Sequence, residues 1–122
     1  MVLAGDQVLP GISSNLGVYP LEPNADTVGD WMNSCEKLLK LSSDEQLVLP
    51  GHGRPFSGLP RRLVQLIENH KAALKRIEEA LKTGPKTAVE LFKAIFIRDF
   101  NKREYMLALH EAVGHVNHLY KA

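Results

Sequence analysis

At 122 residues, 44% of them apolar and with a formal net charge of +1, the chain can bury one core, and its charge is too balanced to mark a nucleic-acid binder. Cys35 stands alone, which excludes a disulfide within the chain and fits a reducing compartment. No apolar run nears the ~18 residues of a membrane span, and no basic-then-apolar leader opens the sequence, so the expectation is a soluble, cytoplasmic protein without a membrane partner.

In chain order, residues 2 to 6, Val-Leu-Ala-Gly-Asp, read as a strand. Leu9 to Asn24 read as a loop punctuated by Pro10, Gly11, Gly17, Pro20 and Pro23, and loops of that length tend to carry function. Asp26 or Thr27 then caps a helix to about Lys40, whose apolar stripe of Val28, Trp31, Met32, Cys35, Leu38 and Leu39 makes Cys35 a small buried hydrophobe. Ser42-Ser43-Asp44 turns the chain into a second strand, Gln46 to Leu49, which runs into Pro50-Gly51-His52-Gly53. A long helix comes next with Leu63, Leu66, Ile67, Leu74, Ile77 and Leu81 on one face, and Gly84-Pro85 stops it. Thr87-x-x-Glu90 is a capping box before a helix whose core face is Leu91, Phe92, Ile95 and Phe96, and a last helix carries Met106, Leu109, Val113, Val116 and Tyr120 as its stripe.

The composition splits near residue 60. Residues 1 to 60 hold 7 of the 9 Gly and 6 of the 7 Pro, with three basic against seven acidic residues. Residues 61 to 122 hold twelve basic against seven acidic residues and read as helix nearly throughout. Two domains, 1–60 and 61–122, are therefore expected.

Each strand stops at a side chain that can bind a metal, Asp6 or His52. A lone Gly-Asp carries almost no information, and Pro-Gly-His-Gly alone equally describes a tight turn. Their order and context carry more. Gly5-Asp6-Gln7-Val8-Leu9-Pro10-Gly11-Ile12-Ser13, then an amphipathic helix, then the strand before His52, then the helical stretch from Arg61, resembles the second half of the metallo-β-lactamase superfamily. Asp6 matches that family's bridging aspartate in a Gly-Asp pair, and His52 its last histidine after Pro-Gly. The family's HxHxDH motif, and the separate histidine between it and the aspartate, occur nowhere in these residues.

The resemblance covers the whole chain and implies an α+β architecture: the C-terminal half of an αββα metallo-β-lactamase fold over 1–60, then an all-α winged-helix-like domain over 61–122. It points to a glyoxalase II-like or β-lactamase-like branch that hydrolyses ester, thioester or phosphodiester bonds through a dinuclear-metal hydroxide, with a small-molecule ester or thioester as substrate. Asp6 would bridge two zinc ions, since a carboxylate can bind two cations at once, and His52 would complete one ion's shell. With half of the ligands outside these residues, the isolated chain should bind metal weakly and be inactive. Its sheet, beginning inside a strand, should self-associate. The alternative reading is a non-catalytic or nucleic-acid- or protein-binding winged-helix-like module, with nucleic acid not favoured.

Other residues weigh less. Asn15, beside Ser13 and Ser14 in the loop after Asp6, and Arg54, just past the ligand loop, are candidate substrate contacts, although Arg54 reads equally well as plain surface charge. His70 sits on the stripe of the long helix and reads as a hydrogen-bonded, half-buried histidine. His115 and His118, three apart, could hold an adventitious metal, but a solvated or capping role is favoured.

Overall fold

The computed structural model describes residues 1–96 and 101–121, in the order β1 (Val2–Gly5), α1 (Thr27–Leu41), β2 (Val48–Pro50), α2 (Leu59–Leu81), α3 (Phe92–Ile95) and α4 (Lys102–Lys121). Among the described residues no helix is long and apolar enough to cross a membrane. The chain forms two compact units, Met1–Asn15 with Asp30–Asn69, and Leu16–Gly29 with His70–Ala122.

In the first unit β1 and β2 pair in parallel, Val2 with Val48, Leu3 with Leu49 and Gly5 with Pro50, with a register shift between Leu3 and Gly5. Parallel neighbours need a long crossover, and the loop and α1 supply it. On its other side Val48 pairs antiparallel with Phe56, through Val48 N–H to the Phe56 carbonyl at 2.8 Å and Phe56 N–H back at 3.1 Å. Val8, Leu9, Trp31, Met32, Cys35, Val48, Leu59, Leu63, Leu66 and Ile67 are buried in this unit. Burial pushes the Cys35 thiol up to about 11, so it stays protonated at neutral pH, as a buried hydrophobe should. Met1 and Leu3 stay 79% and 76% exposed and leave apolar surface on the sheet uncovered.

In the second unit Asp26 is the cap of α1, its Oδ1 accepting the Gly29 N–H at 3.0 Å. The Thr87–Glu90 capping box closes in both directions: Thr87 N–H donates to Glu90 Oε2 at 2.6 Å, and Glu90 N–H to Thr87 Oγ1 at 3.3 Å. Yet the helix it opens is short. Residues 88–91 are turn, α3 covers only Phe92–Ile95, and Phe96 is extended, while Arg76 on α2 donates through Nε to the Ala94 carbonyl at 2.7 Å and so caps the end of α3. Ile77, Leu91, Ile95 and Ala112 form the core here, with Phe92, Phe96 and Val116 packed against it.

The buried face of α4 differs from the expected stripe. Ala108, Ala112, Gly114 and His115 are buried, whereas Met106 is 53% and Tyr120 89% exposed. Close approach is the reason at Gly114: a Cβ there would come within 2.6 Å of the Leu16 carbonyl oxygen and 2.9 Å of Thr27 Oγ1, so only glycine fits at that point of the face. Asn117 Nδ2 then donates to the Pro23 and Ala25 carbonyls at 2.9 and 3.0 Å, and His118 Nδ1 lies 3.0 Å from Asp26 Oδ1.

His70 and His115 meet inside this unit. His115 Nδ1 is 2.8 Å from the Glu111 carbonyl, which can only accept, so that nitrogen carries the proton and Nε2 accepts from His70 Nδ1 at 3.3 Å. Burial pushes His70 down to about 4, helped by the nearby His115, and burial likewise lowers His115. The unfolded chain therefore binds protons that the folded chain refuses between the ordinary histidine value of 6.5 and about 4. Stability should be full above pH 6.5 and fall through that window on acidification, by about 3 kcal/mol from His70 alone. Urea unfolding at pH 7 and pH 4.5 measures the fall, and His70→Phe, which cannot take up a proton, should flatten it.

Candidate metal centre

Because β1 and β2 are parallel, the loops leaving their carboxyl ends emerge at the same end of the pair. Gly5, at φ +52°, bends the chain out of β1 and presents Asp6. The Gly51 N–H donates to the Gly5 carbonyl at 2.7 Å and locks the start of the second loop against the first. The Val48–Phe56 pairing brings the chain straight back, so residues 51–55 form a tight excursion with His52 on it. His52 Nε2 and Asp6 Oδ1 end 3.5 Å apart although 45 residues separate them in the chain.

Both side chains are largely in water, 72% exposed for His52 and 65% for Asp6, so this contact by itself adds little stability. It matters as geometry: a carboxylate and an imidazole nitrogen converge at an open surface. Gly51 makes the convergence possible, since a Cβ there would overlap Asp6 Oδ1 and press within 3.1 Å of the Gly5 carbonyl carbon. Gly53, at φ +88°, adopts a conformation that side-chain-bearing residues rarely hold, and its missing Cβ would lie 2.8 Å from Pro10 Cγ.

Behind Asp6 the loop is tied down by residues whose sequence context suggested no such role. Buried Ser14 donates its hydroxyl to the Asp6 carbonyl, with the Gln7 carbonyl 3.0 Å away. Trp31 on α1 donates its indole N–H to the Gln7 carbonyl at 3.1 Å, and Arg62 on α2 donates to the Leu9 carbonyl at 2.7 Å and the Ile12 carbonyl at 3.1 Å. Ser14 stood out in sequence only as a neighbour of Asn15, and Trp31 only as part of an apolar stripe. Among the described residues no group of three or more His, Cys, Asp or Glu side chains could hold a metal ion, so Asp6 and His52 converge as a pair.

The family described as Metallo-beta-lactamase-like, C-terminal domain matches residues 74–122. A β-lactamase domain protein from Burkholderia ambifaria superposes with a TM-score of 0.91 at 34% identity, over 98% of this chain and 35% of that one. This chain has the carboxy-terminal part of the metallo-β-lactamase fold. A metallo-β-lactamase family protein from Thermus thermophilus is also similar, with a TM-score of 0.79 at 28% identity over 98% of this chain and 36% of that one. The chain thus spans about a third of the length of those two metallo-β-lactamase-fold structures. No curated protein matches it.

On this part of the metallo-β-lactamase fold, Asn15 and Arg54 are both exposed, Asn15 next to the Ser14 clamp and Arg54 two residues past His52. His70 and His115 are buried against each other, and His118 is bound up with Asp26, so the i,i+3 pair on α4 does not converge on one point. His115, only 1% exposed, is neither solvated nor a cap. The two loop glycines separate two kinds of constraint. Gly53→Ala should cost about 1–3 kcal/mol through its backbone conformation, whereas Gly51→Ala, where the Asp6 carboxylate can swing aside, should cost less but part Asp6 from His52. Urea unfolding midpoints of the two variants test the order, and equal costs would contradict it.

Proposed function

We propose that this chain works within a metal-dependent hydrolase of ester, thioester or phosphodiester bonds, in which Asp6 and His52 are metal ligands and further ligands come from outside these 122 residues. The observation that carries the reading is the 3.5 Å approach of His52 Nε2 to Asp6 Oδ1 at the shared end of two parallel strands. The family resemblance at Gly5-Asp6 and Pro50-Gly51-His52 supports the same assignment.

The donor set fits. Carboxylate oxygen and imidazole nitrogen are both zinc donors, and catalytic zinc takes three protein ligands, so this pair supplies part of a site. When bound, divalent ions supply Lewis-acid polarisation and bring the pKa of water toward ~7. Asp6 has two carboxylate oxygens and can therefore serve two ions. His52 would hold an ion through Nε2, the nitrogen that faces Asp6. Gly51 keeps the space beside the Asp6 carboxylate open. Arg54 and Asn15 are the side chains here suited to an anionic or polar part of a small ester or thioester substrate.

Asp6→Ala is the direct test, made in a protein that joins these residues to the preceding part of the fold. Metal content and hydrolysis should disappear together, activity falling by more than the 10–100-fold that losing an outer partner of a ligand typically costs. Hydrolysis that persists after the metal is lost would sink the assignment.

A further inference from the structure

We infer that Ser14, Trp31 and Arg62 are positioning residues for the Asp6 carboxylate: they hold the carbonyls of Asp6, Gln7, Leu9 and Ile12 and thereby fix where the side chain just after β1 points. The inference rests on the reading of Asp6 and His52 as metal ligands and adds how one of them is held ready.

No regular secondary structure orders this loop. Residues 6–15 form neither helix nor strand, and Gly5, which precedes Asp6, is the residue type with the freest backbone. Asp6 is mostly in water, so no packing grips its side chain. The backbone beneath it is held instead. The Gly5 carbonyl accepts from Gly51 N–H at 2.7 Å and the Ala4 carbonyl from Gln7 N–H at 3.1 Å, which closes the first turn. Three side chains add further ties: the Ser14 hydroxyl on the Asp6 carbonyl, the Trp31 indole at 3.1 Å on that of Gln7, and the Arg62 guanidinium at 2.7 and 3.1 Å on those of Leu9 and Ile12.

The donors suit the task. Trp31 is buried on α1 and Arg62 sits in the first turn of α2, so two of the three are anchored to long helices rather than to the loop they hold. Arg62 presents a fork, Nε to one carbonyl and Nη2 to another, while Nη1 donates to Gln65 Oε1 at 2.6 Å and fixes the plane of the guanidinium. A lysine at the same place could not reproduce that fork. With the loop's carbonyls drawn onto these donors, the Asp6 carboxylate is left on the side where His52 lies.

Mn²⁺ titrated into the isotope-labelled full chain tests the inference, because a paramagnetic ion broadens the amide signals beside it even when binding is weak. In the wild type the broadening should centre on Asp6, Gly51 and Gly53, and Asp6→Asn should abolish it. Broadening that survives Asp6→Asn, or its complete absence in the wild type, overturns the metal reading and this inference with it. Ser14→Ala and Arg62→Lys, measured at a temperature where melting curves show each fully folded, should weaken Mn²⁺ binding about fivefold, the equilibrium worth of one buried hydrogen bond. Ser14→Thr, which keeps the hydroxyl, should restore it. Wild-type affinity in folded Ser14→Ala and Arg62→Lys would leave the metal reading standing and overturn the positioning role. If Ser14→Ala does not fold, Arg62→Lys decides alone.

Discussion

The parallel pairing of β1 with β2 is the constraint on which the candidate site depends. Parallel strands send their carboxyl ends the same way, so Asp6 and His52 share an edge whatever else the chain does. The pairing is short, three matched positions, and it ends on the Gly51 N–H bound to the Gly5 carbonyl at 2.7 Å. That single bond ties the Asp6 and His52 loops at their roots. Both loops leave it through glycine, Gly5 with positive φ on one side and Gly51 without a Cβ on the other, because side chains there would fill the space the Asp6 carboxylate occupies or forbid the turn.

The same backbone geometry explains why an exposed site can still be ordered. Asp6 and His52 are mostly in water, where an ion pair contributes little, so the fold cannot rely on their attraction to bring them together. Order comes from beneath. Ser14, Trp31 and Arg62 hold loop carbonyls, and Val48, paired with β1 on one side and with Phe56 on the other, fixes the root of the His52 loop. An open pair of donor side chains on a firmly held base is what the proposed metal site would need if it is completed by ligands from elsewhere.

How far the sequence could be read depended on the distance between partners. Gly5-Asp6 and Pro50-Gly51-His52 were legible because each is a local strand-end motif, and so was the Thr87–Glu90 capping box, which spans three residues and closes as expected. The stripe on α2 was legible as well, from Leu63 to Ile77, because large apolar side chains fill an ordinary helix interface. The face of α4 was not. Gly114 lies against the Leu16 carbonyl and Thr27 Oγ1, a close approach that requires glycine there and that no periodicity of large residues reports. The His70–His115 contact joins residues 45 apart, and the Trp31 bond to the Gln7 carbonyl spans 24, so a histidine and a tryptophan that read as stripe residues proved to have polar partners no local pattern could name.

If Asp6 and His52 form one half of a metal site, the pair should capture an ion even without the remaining ligands once the ion is abundant. Crystals of the chain grown with excess zinc, with the ion located by its anomalous scattering, put that to the proof. A zinc ion is expected within about 2.0–2.2 Å of both an Asp6 carboxylate oxygen and His52 Nε2. Zinc held at other side chains, with Asp6 and His52 both unliganded, would refute the shared site.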